Sequence, residues 1–505
     1  MNRGEVVSAI RNARIVSSGV PLPGGDDEPH DIVIAGGRIA DIAPAGALRL
    51  GGAVLDAAGR WLLPGLWDHH VHTVQWALAA QRVDLGGAAT AAEAAAIMGA
   101  ALVVRGVADD GRRIGTGYRD ALWPDRPDLE LLDAATGEVP TYLINADVHS
   151  VWLNSAALRR EGFEHARDGV LREQPAFEIS RRLNAVNPGV ADAFVARAAD
   201  AAASRGVVGI VDLDMAWNED VWARRLARGF DALRVEFGTY PDHLERAIAE
   251  GLSTGDTVRG QRSDLVRVGP FKVITDGSLG TRTAACSHPY PGEPHNTGVL
   301  TVPPDELVEL MTVATGAGLR CAVHAIGDVA NSRALDAFAL TGATGSIEHA
   351  QLVAHADLPR FARLGVAASV QPEHALDDRD ITEREWAAQT ALAYPLRSLA
   401  AAGASLRFGS DAPVSPLDPW AAIAGAVYRT RDGREPWHPH EAVSPQTALD
   451  ASTHGGSGDA AARIEPGATA DLVLCGADPR TADESVLRSM SVSATLIAGR
   501  LTHLA

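Results

Sequence analysis

Cysteine is scarce in this chain: Cys286, Cys321 and Cys475 are three among 505 residues. They are odd in number and far apart, and none forms a Cys-x-x-Cys pair, so a disulfide framework is not expected. Positive charge is in deficit as well. Lys and Arg number 45 against 64 Asp and Glu, a formal charge of −19, which argues against nucleic acid or an anionic membrane surface as partner. Long apolar runs are also missing. The stretch Met1 to Gly19 has no secretory core, and no later run reaches membrane-spanning length, so a cytoplasmic, reducing setting and no membrane association are expected. Internal repeats are absent, and alanine richness is the only compositional bias. What is present suits a large core: 46% apolar and 22% charged residues. The length accommodates a barrel of roughly 250 to 400 residues and a smaller satellite domain.

The chain is organised around Trp61 to His72, where an apolar run closes on Pro64-Gly65 and continues to His70-Val71-His72. Alternate residues of a strand share a face, so His70 and His72 project together as a pair of metal ligands. Asp68 has the same parity one step deeper, and His69 points the other way.

Before this stretch, Asp31 to Ala35 and Arg38 to Ile42 flank Gly36-Gly37, a hairpin signal. Asp471 to Leu474 and Ala494 to Leu501 repeat the style at the far end. Neither end has enough apolar residues to stand alone, so residues 1–60 and 465–505 are expected to form one small β-domain. Residues 61–464 alternate strands with helices. After the opening strand, further strands are expected at Val207 to Asp212, Leu233 to Phe237, Phe271 to Ile274, Cys321 to His324, Ser346 to His349, Val366 to Gln371 and Leu406 to Asp411. Eight strands in this order predict a (β/α)8 TIM-type barrel. Asp328 is expected to cap one of its helices. The connection at about 78–205 is far too long for a barrel loop and reads as a largely helical, substrate-shaping insertion.

Residues able to bind metal recur at the predicted strand ends: His70, His72, Lys272, His324, His349 and Asp411. Each alone has an ordinary structural explanation. Lys272 is the hardest to dismiss, because a lysine inside an apolar strand must be paired or modified. Together, at the end of the barrel where active sites lie, they predict a metal site.

Several stretches then carry a resemblance. They are Pro64 to His72, His149 to Ser155, Lys272 to Gly280, His324 to Asp328, Ile347 to Gln351, Gly409 to Pro413 and Pro466 to Leu472. In this order the chain resembles the amidohydrolase superfamily, and within it the family-3, YtcJ-like metal-dependent hydrolases. The resemblance implies one or two divalent cations, zinc above all. His70, His72 and Asp411 would hold one. His324 and His349 would hold a second if a carbamate on Lys272 bridges the two. Glu173 matches a carboxylate common in this branch and is the other candidate bridge. Asp411 would move the proton, and with a single cation His349 would polarise the substrate carbonyl. His149, Asn154, Arg282, Gln371 and His374 are implied pocket residues. Trp67, Trp76 and Trp152 are expected near the mouth. The expected reaction is hydrolysis of a C–N bond, amide or N-substituted formamide, in a small molecule. Deamination of an aminoheterocycle on one cation is the alternative. A non-catalytic scaffold is disfavoured because all six strand-end residues are present. Homo-oligomerisation is left open.

Overall fold

The structure is a computed structural model that describes residues 1–16, 28–105, 111–261, 263–456, 458 and 460–505. Eight strands form its central sheet: Leu66–Val71 (β1), Val207–Asp212 (β2), Arg234–Thr239 (β3), Val266–Ile274 (β4), Cys321–Ala325 (β5), Gly345–His349 (β6), Val366–Val370 (β7) and Leu406–Phe408 (β8). They are hydrogen-bonded in chain order, every pair parallel. Strands such as Val207–Asp212 and Cys321–Ala325 are buried at every position, as a sheet covered on both faces requires. Helices including Asn218–Ala227, Pro304–Gly316 and Asp328–Thr341 supply the outer cover. The ring closes just past β8. The Asp411 N–H donates to the His70 carbonyl at 2.7 Å, and the His72 N–H donates to the Ala412 carbonyl at 2.9 Å. This (β/α)8 barrel of TIM type is the predicted fold, and its closure sets Asp411 beside the two histidines of β1.

Both chain ends enter a second sheet. Its order runs Arg500–Leu504, Val492–Ile497, Leu472–Cys475, Trp61–Pro64, Ala9–Ile15, His30–Ala35, Arg38–Pro44. Trp61–Pro64 therefore belongs here, paired with Leu472–Cys475 and Ala9–Ile15, and not to the barrel strand it was expected to open. The chain crosses from sheet to barrel at Gly65. A Cβ there would sit 2.4 Å from both methyls of Val208, so only glycine fits the crossing without displacement. Asp328 is also not the cap expected. Its carboxylate accepts from the Ser287 N–H at 2.8 Å, while Asp276 takes the Ile326 and Gly327 N–H groups at the start of that helix.

The insertion holds the helices expected of it, Ala91–Arg105 and Pro188–Ala203 among them. It also holds an unexpected five-stranded sheet, in the order Val170–Arg172, Ser150–Leu153, Thr141–Asn145, Arg113–Tyr118, Val83–Asp84. Alternate residues bury two apolar clusters on its faces, Leu143 and Trp152 in one, Tyr142 and Val151 in the other. Among the described residues no helix is long and apolar enough to cross a membrane.

Candidate metal centre

At the closure of the barrel, His70 Nε2 and His72 Nε2 lie 3.4 and 3.3 Å from Asp411 Oδ1. The other nitrogen of His70, Nδ1, is 2.7 Å from Glu348 Oε2 on β6. Burial would lift the Glu348 carboxyl, but the His70 hydrogen bond, the nearby His70 ring and Lys272 amine and the Ser346 hydroxyl bring it down to about 2. Glu348 is thus an acceptor, His70 Nδ1 carries the proton, and the Nε2 lone pair faces inward.

His349 repeats the device. Its Nδ1 is 2.9 Å from Gln371 Oε1, and the Gln371 amide nitrogen is directed at the Ser369 carbonyl, which orients the amide. Burial, with His324 and His70 close by, holds the His349 ring well below its ordinary pKa. It is a neutral imidazole with Nε2 bare. Asp411 shifts down as well: burial opposes its ionisation, but the facing imidazoles of His70, His72 and His349 keep it well below the carboxylate range. Asp411, His349 and Glu173 all have positive φ, 55°, 74° and 53°, conformations that packing must enforce on residues with a Cβ.

Four buried nitrogens here have no hydrogen-bond partner among the described residues: His72 Nδ1, Lys272 Nζ, His324 Nε2 and His374 Nε2. Lys272 is 1% exposed, and burial pulls its amine down to about 8 against the opposing effect of Glu348 and Asp411. Two ligand sets emerge. One donor atom each from His70, His72 and Asp411 lie within 4.8 Å of one another, and so do those of His349, His374 and Asp411. Imidazole nitrogens around a shared carboxylate, with lone pairs turned inward and other nitrogens unsatisfied, form a donor set that fits a divalent cation.

The amidohydrolase family profile matches residues 53–503. The chain belongs to the amidohydrolase family. Within the curated relatives, LONG AFTER FAR-RED 3 of Arabidopsis thaliana is 29% identical, spanning 97% of this chain and 90% of that protein. The N-substituted formamide deformylase of Arthrobacter pascens is 25% identical over 94% of each. A crystal structure of an uncharacterized metal-dependent hydrolase from Pyrococcus horikoshii superposes with a TM-score of 0.79 at 25% identity, covering 94% of this chain and 99% of that one.

The remaining residues that the amidohydrolase resemblance implied divide sharply. Gln371 orients His349, and His374 joins a ligand set. His324 stands outside both sets: its ring lies 4.5 Å from that of His349, and its Nε2 is 3.4 Å from Asp276 Oδ1. Glu173 is also outside both, with Oε2 3.1 Å from His149 Nδ1. Arg282 is held by ion pairs to Glu293 and Glu385. Trp152 is not at the mouth and Asn154 does not line the pocket, and this corrects both expectations. Both are 0% exposed. Trp152 fills the core of the insertion. Asn154 caps the helix Ser155–Glu161 and takes the Thr141 N–H. Trp67 packs in a buried cluster with Val208 and Ile497. Glu348 was missed as a functional residue, although it precedes His349 in sequence. Because His349 sits at positive φ, strand alternation no longer separates the two side chains.

Proposed function

We propose that this protein hydrolyses a C–N bond, an amide or N-substituted formamide, of a small molecule, using a zinc or similar divalent ion held by His70, His72 and Asp411. The observation that carries the reading is the pair of inward-facing Nε2 atoms at 3.3–3.4 Å from one carboxylate oxygen. A cation held by these residues would supply Lewis acidity toward a carbonyl and make an attacking water more acidic. Asp411, kept ionised by its surroundings, takes the proton of the attacking water and returns it to the leaving nitrogen. Glu348 holds the His70 ring in the tautomer that ligation needs. His349 is a neutral imidazole whose one N–H is given to Gln371, so it has no hydrogen to offer a carbonyl oxygen. That favours His349 as ligand over the carbonyl-polarising role expected with a single cation. A buried, unpaired amine near neutrality at Lys272 is suited to carbamate formation, since the neutral amine adds carbon dioxide. Similarity to an N-substituted formamide deformylase supports formamides as the first substrates to try.

The test is a screen of N-formyl and N-acyl amides, read by amine release, beside aminoheterocycles, read by ammonia. Metal content is measured on the same preparation. Amide turnover that disappears with chelation and returns with zinc is expected. Full activity in a metal-free preparation would overturn the reading.

A further inference from the structure

His72 differs from His70 and His349 in how its ring is held. Glu348 accepts from His70 Nδ1, and Gln371 orients His349. His72 Nδ1 is buried and has no hydrogen-bond partner among the described residues. Its direction is therefore set by the backbone. The two planar peptide groups beside His72 fix its φ and ψ, −94° and 86°, and with them the line from Cα to Cβ.

The peptide before His72 is pinned at both edges. The Val71 carbonyl accepts the Leu213 N–H at 2.7 Å, and the His72 N–H donates to the Ala412 carbonyl at 2.9 Å. The peptide after it is pinned from the end of β2. The Thr73 N–H donates to Asp212 Oδ1 at 3.3 Å and the Val74 N–H to Asp214 Oδ2 at 2.5 Å. These N–H groups open the helix Thr73–Ala79, whose N-cap residue, His72 itself, makes no side-chain cap bond. Two carboxylates from another strand satisfy them instead, in charge-assisted bonds. That bracket is itself fixed. Asp212 Oδ2 accepts from the Trp222 indole at 2.8 Å, and Asp212 Oδ1 also accepts the Asp214 N–H at 3.0 Å. The Asp214 carbonyl accepts from Asn218 at 2.8 Å, and the Tyr240 hydroxyl, just past β3, donates to the Leu213 carbonyl at 2.7 Å. Both carboxylates are buried. After burial and Asp411, Asp214 is the next group whose charge acts on the His72 ring.

We infer that Asp212 and Asp214 are positioning residues for His72: they hold the backbone that aims its Nε2 at the cation position, as Glu348 aims the ring of His70. This rests on the metal-dependent reading above. Neither carboxylate belongs to a ligand set among the described residues, so each acts on a cation only through the histidine.

The experiment compares full-length, chelator-treated wild type with Asp214→Ala, Asp214→Asn and Asp212→Asn. Hydrogen exchange of residues 73–76, read by mass spectrometry with no metal present, is the first measurement. Asp214→Ala should speed exchange there at least about tenfold, while peptides from β4 and β5 keep wild-type rates. Asp214→Asn retains an acceptor oxygen and should fall between. Cobalt(II) binding, measured by competition with a chelating dye, is the second. Asp214→Ala should bind cobalt about 10- to 100-fold more weakly, the effect of losing a supporting group of a metal site. Asp214→Asn should recover part of this, and Asp212→Asn should also bind more weakly than wild type. His72→Ala should weaken binding at least as much as Asp214→Ala. Adding Asp214→Ala to it should weaken binding no further, since nothing is left to position. Wild-type cobalt affinity in Asp214→Ala would overturn the inference, and so would unchanged exchange at residues 73–76. Full additivity with His72→Ala would assign the loss to general packing and overturn it too. Should the alanine variant fail to fold, Asp214→Asn carries the same comparison. A wild type that binds no cobalt sinks the metal-dependent reading itself. The inference alone fails when wild type binds cobalt and the aspartate variants bind it equally well.

Discussion

Lys272→Met separates what this lysine does for the fold from what it does for the site. The amine is 1% exposed and lacks a hydrogen-bond partner among the described residues. Burial lowers its pKa from 10.5 to about 8. At about 1.36 kcal/mol per pH unit, that displacement corresponds to roughly 3 kcal/mol against keeping the charged amine in the metal-free fold. The folded pKa lies below the unfolded one, so the unfolded chain binds more protons between pH 8 and 10.5. Metal-free wild type should therefore gain stability as pH rises through that window, with the full penalty present below it. Methionine keeps the length and removes the charge. The variant should be more stable than wild type by about 2–3 kcal/mol at pH 7, and the gap should close near pH 10.5. Urea unfolding of chelator-treated proteins across this range measures it, with midpoints compared at matched m-values. Hydrolytic activity should fall sharply in the same variant after zinc is restored, a stabilising change that harms function. A methionine variant less stable than wild type at pH 7, or a stability gap independent of pH, would refute the argument that the buried amine is unfavourable.

Asp411→Asn keeps the shape of the side chain but cannot take up a proton, so turnover should fall about 10²- to 10⁴-fold with the first metal equivalent largely retained. Wild-type turnover with metal bound would assign the proton transfer elsewhere. Gln371→Leu frees His349 Nδ1 and should weaken metal binding by about 10- to 100-fold, measured by competition with a chelating dye. Gly65→Ala should destabilise the protein by about 1–3 kcal/mol through overpacking against Val208, and Val208→Ala on the same chain should restore most of the loss in thermal unfolding. Additive losses in the double variant would show that the clash is not the cause.

The barrel was legible in the sequence because each of its strands is a short apolar run bounded by turns, buried on both faces and ordered along the chain. The pair His70 and His72 was legible for a related reason: along a regular strand, period two dictates which side chains share a face. Where the backbone leaves that regularity, local pattern fails. Positive φ at His349 breaks the alternation, so that Glu348 and His349 both meet His70, and a tight crossing at Gly65 hands Trp61–Pro64 to the terminal sheet. The strands of the insertion are short and set among alanine-rich helices, so helical periodicity dominates the local pattern there. Motif similarity points to Trp152 near the mouth and Asn154 in the pocket, yet their burial is decided by a sheet that local pattern does not reveal. His374 and His324 show the same division most clearly. His324 lies in a strand and His374 in the helix after β7, so strand pattern alone favours His324. Only the convergence of β6, the turn after β8 and a helix clamped by distant arginines places His374 in a ligand set and leaves His324 facing Asp276, because ligation depends on distances between chain segments that no local pattern encodes.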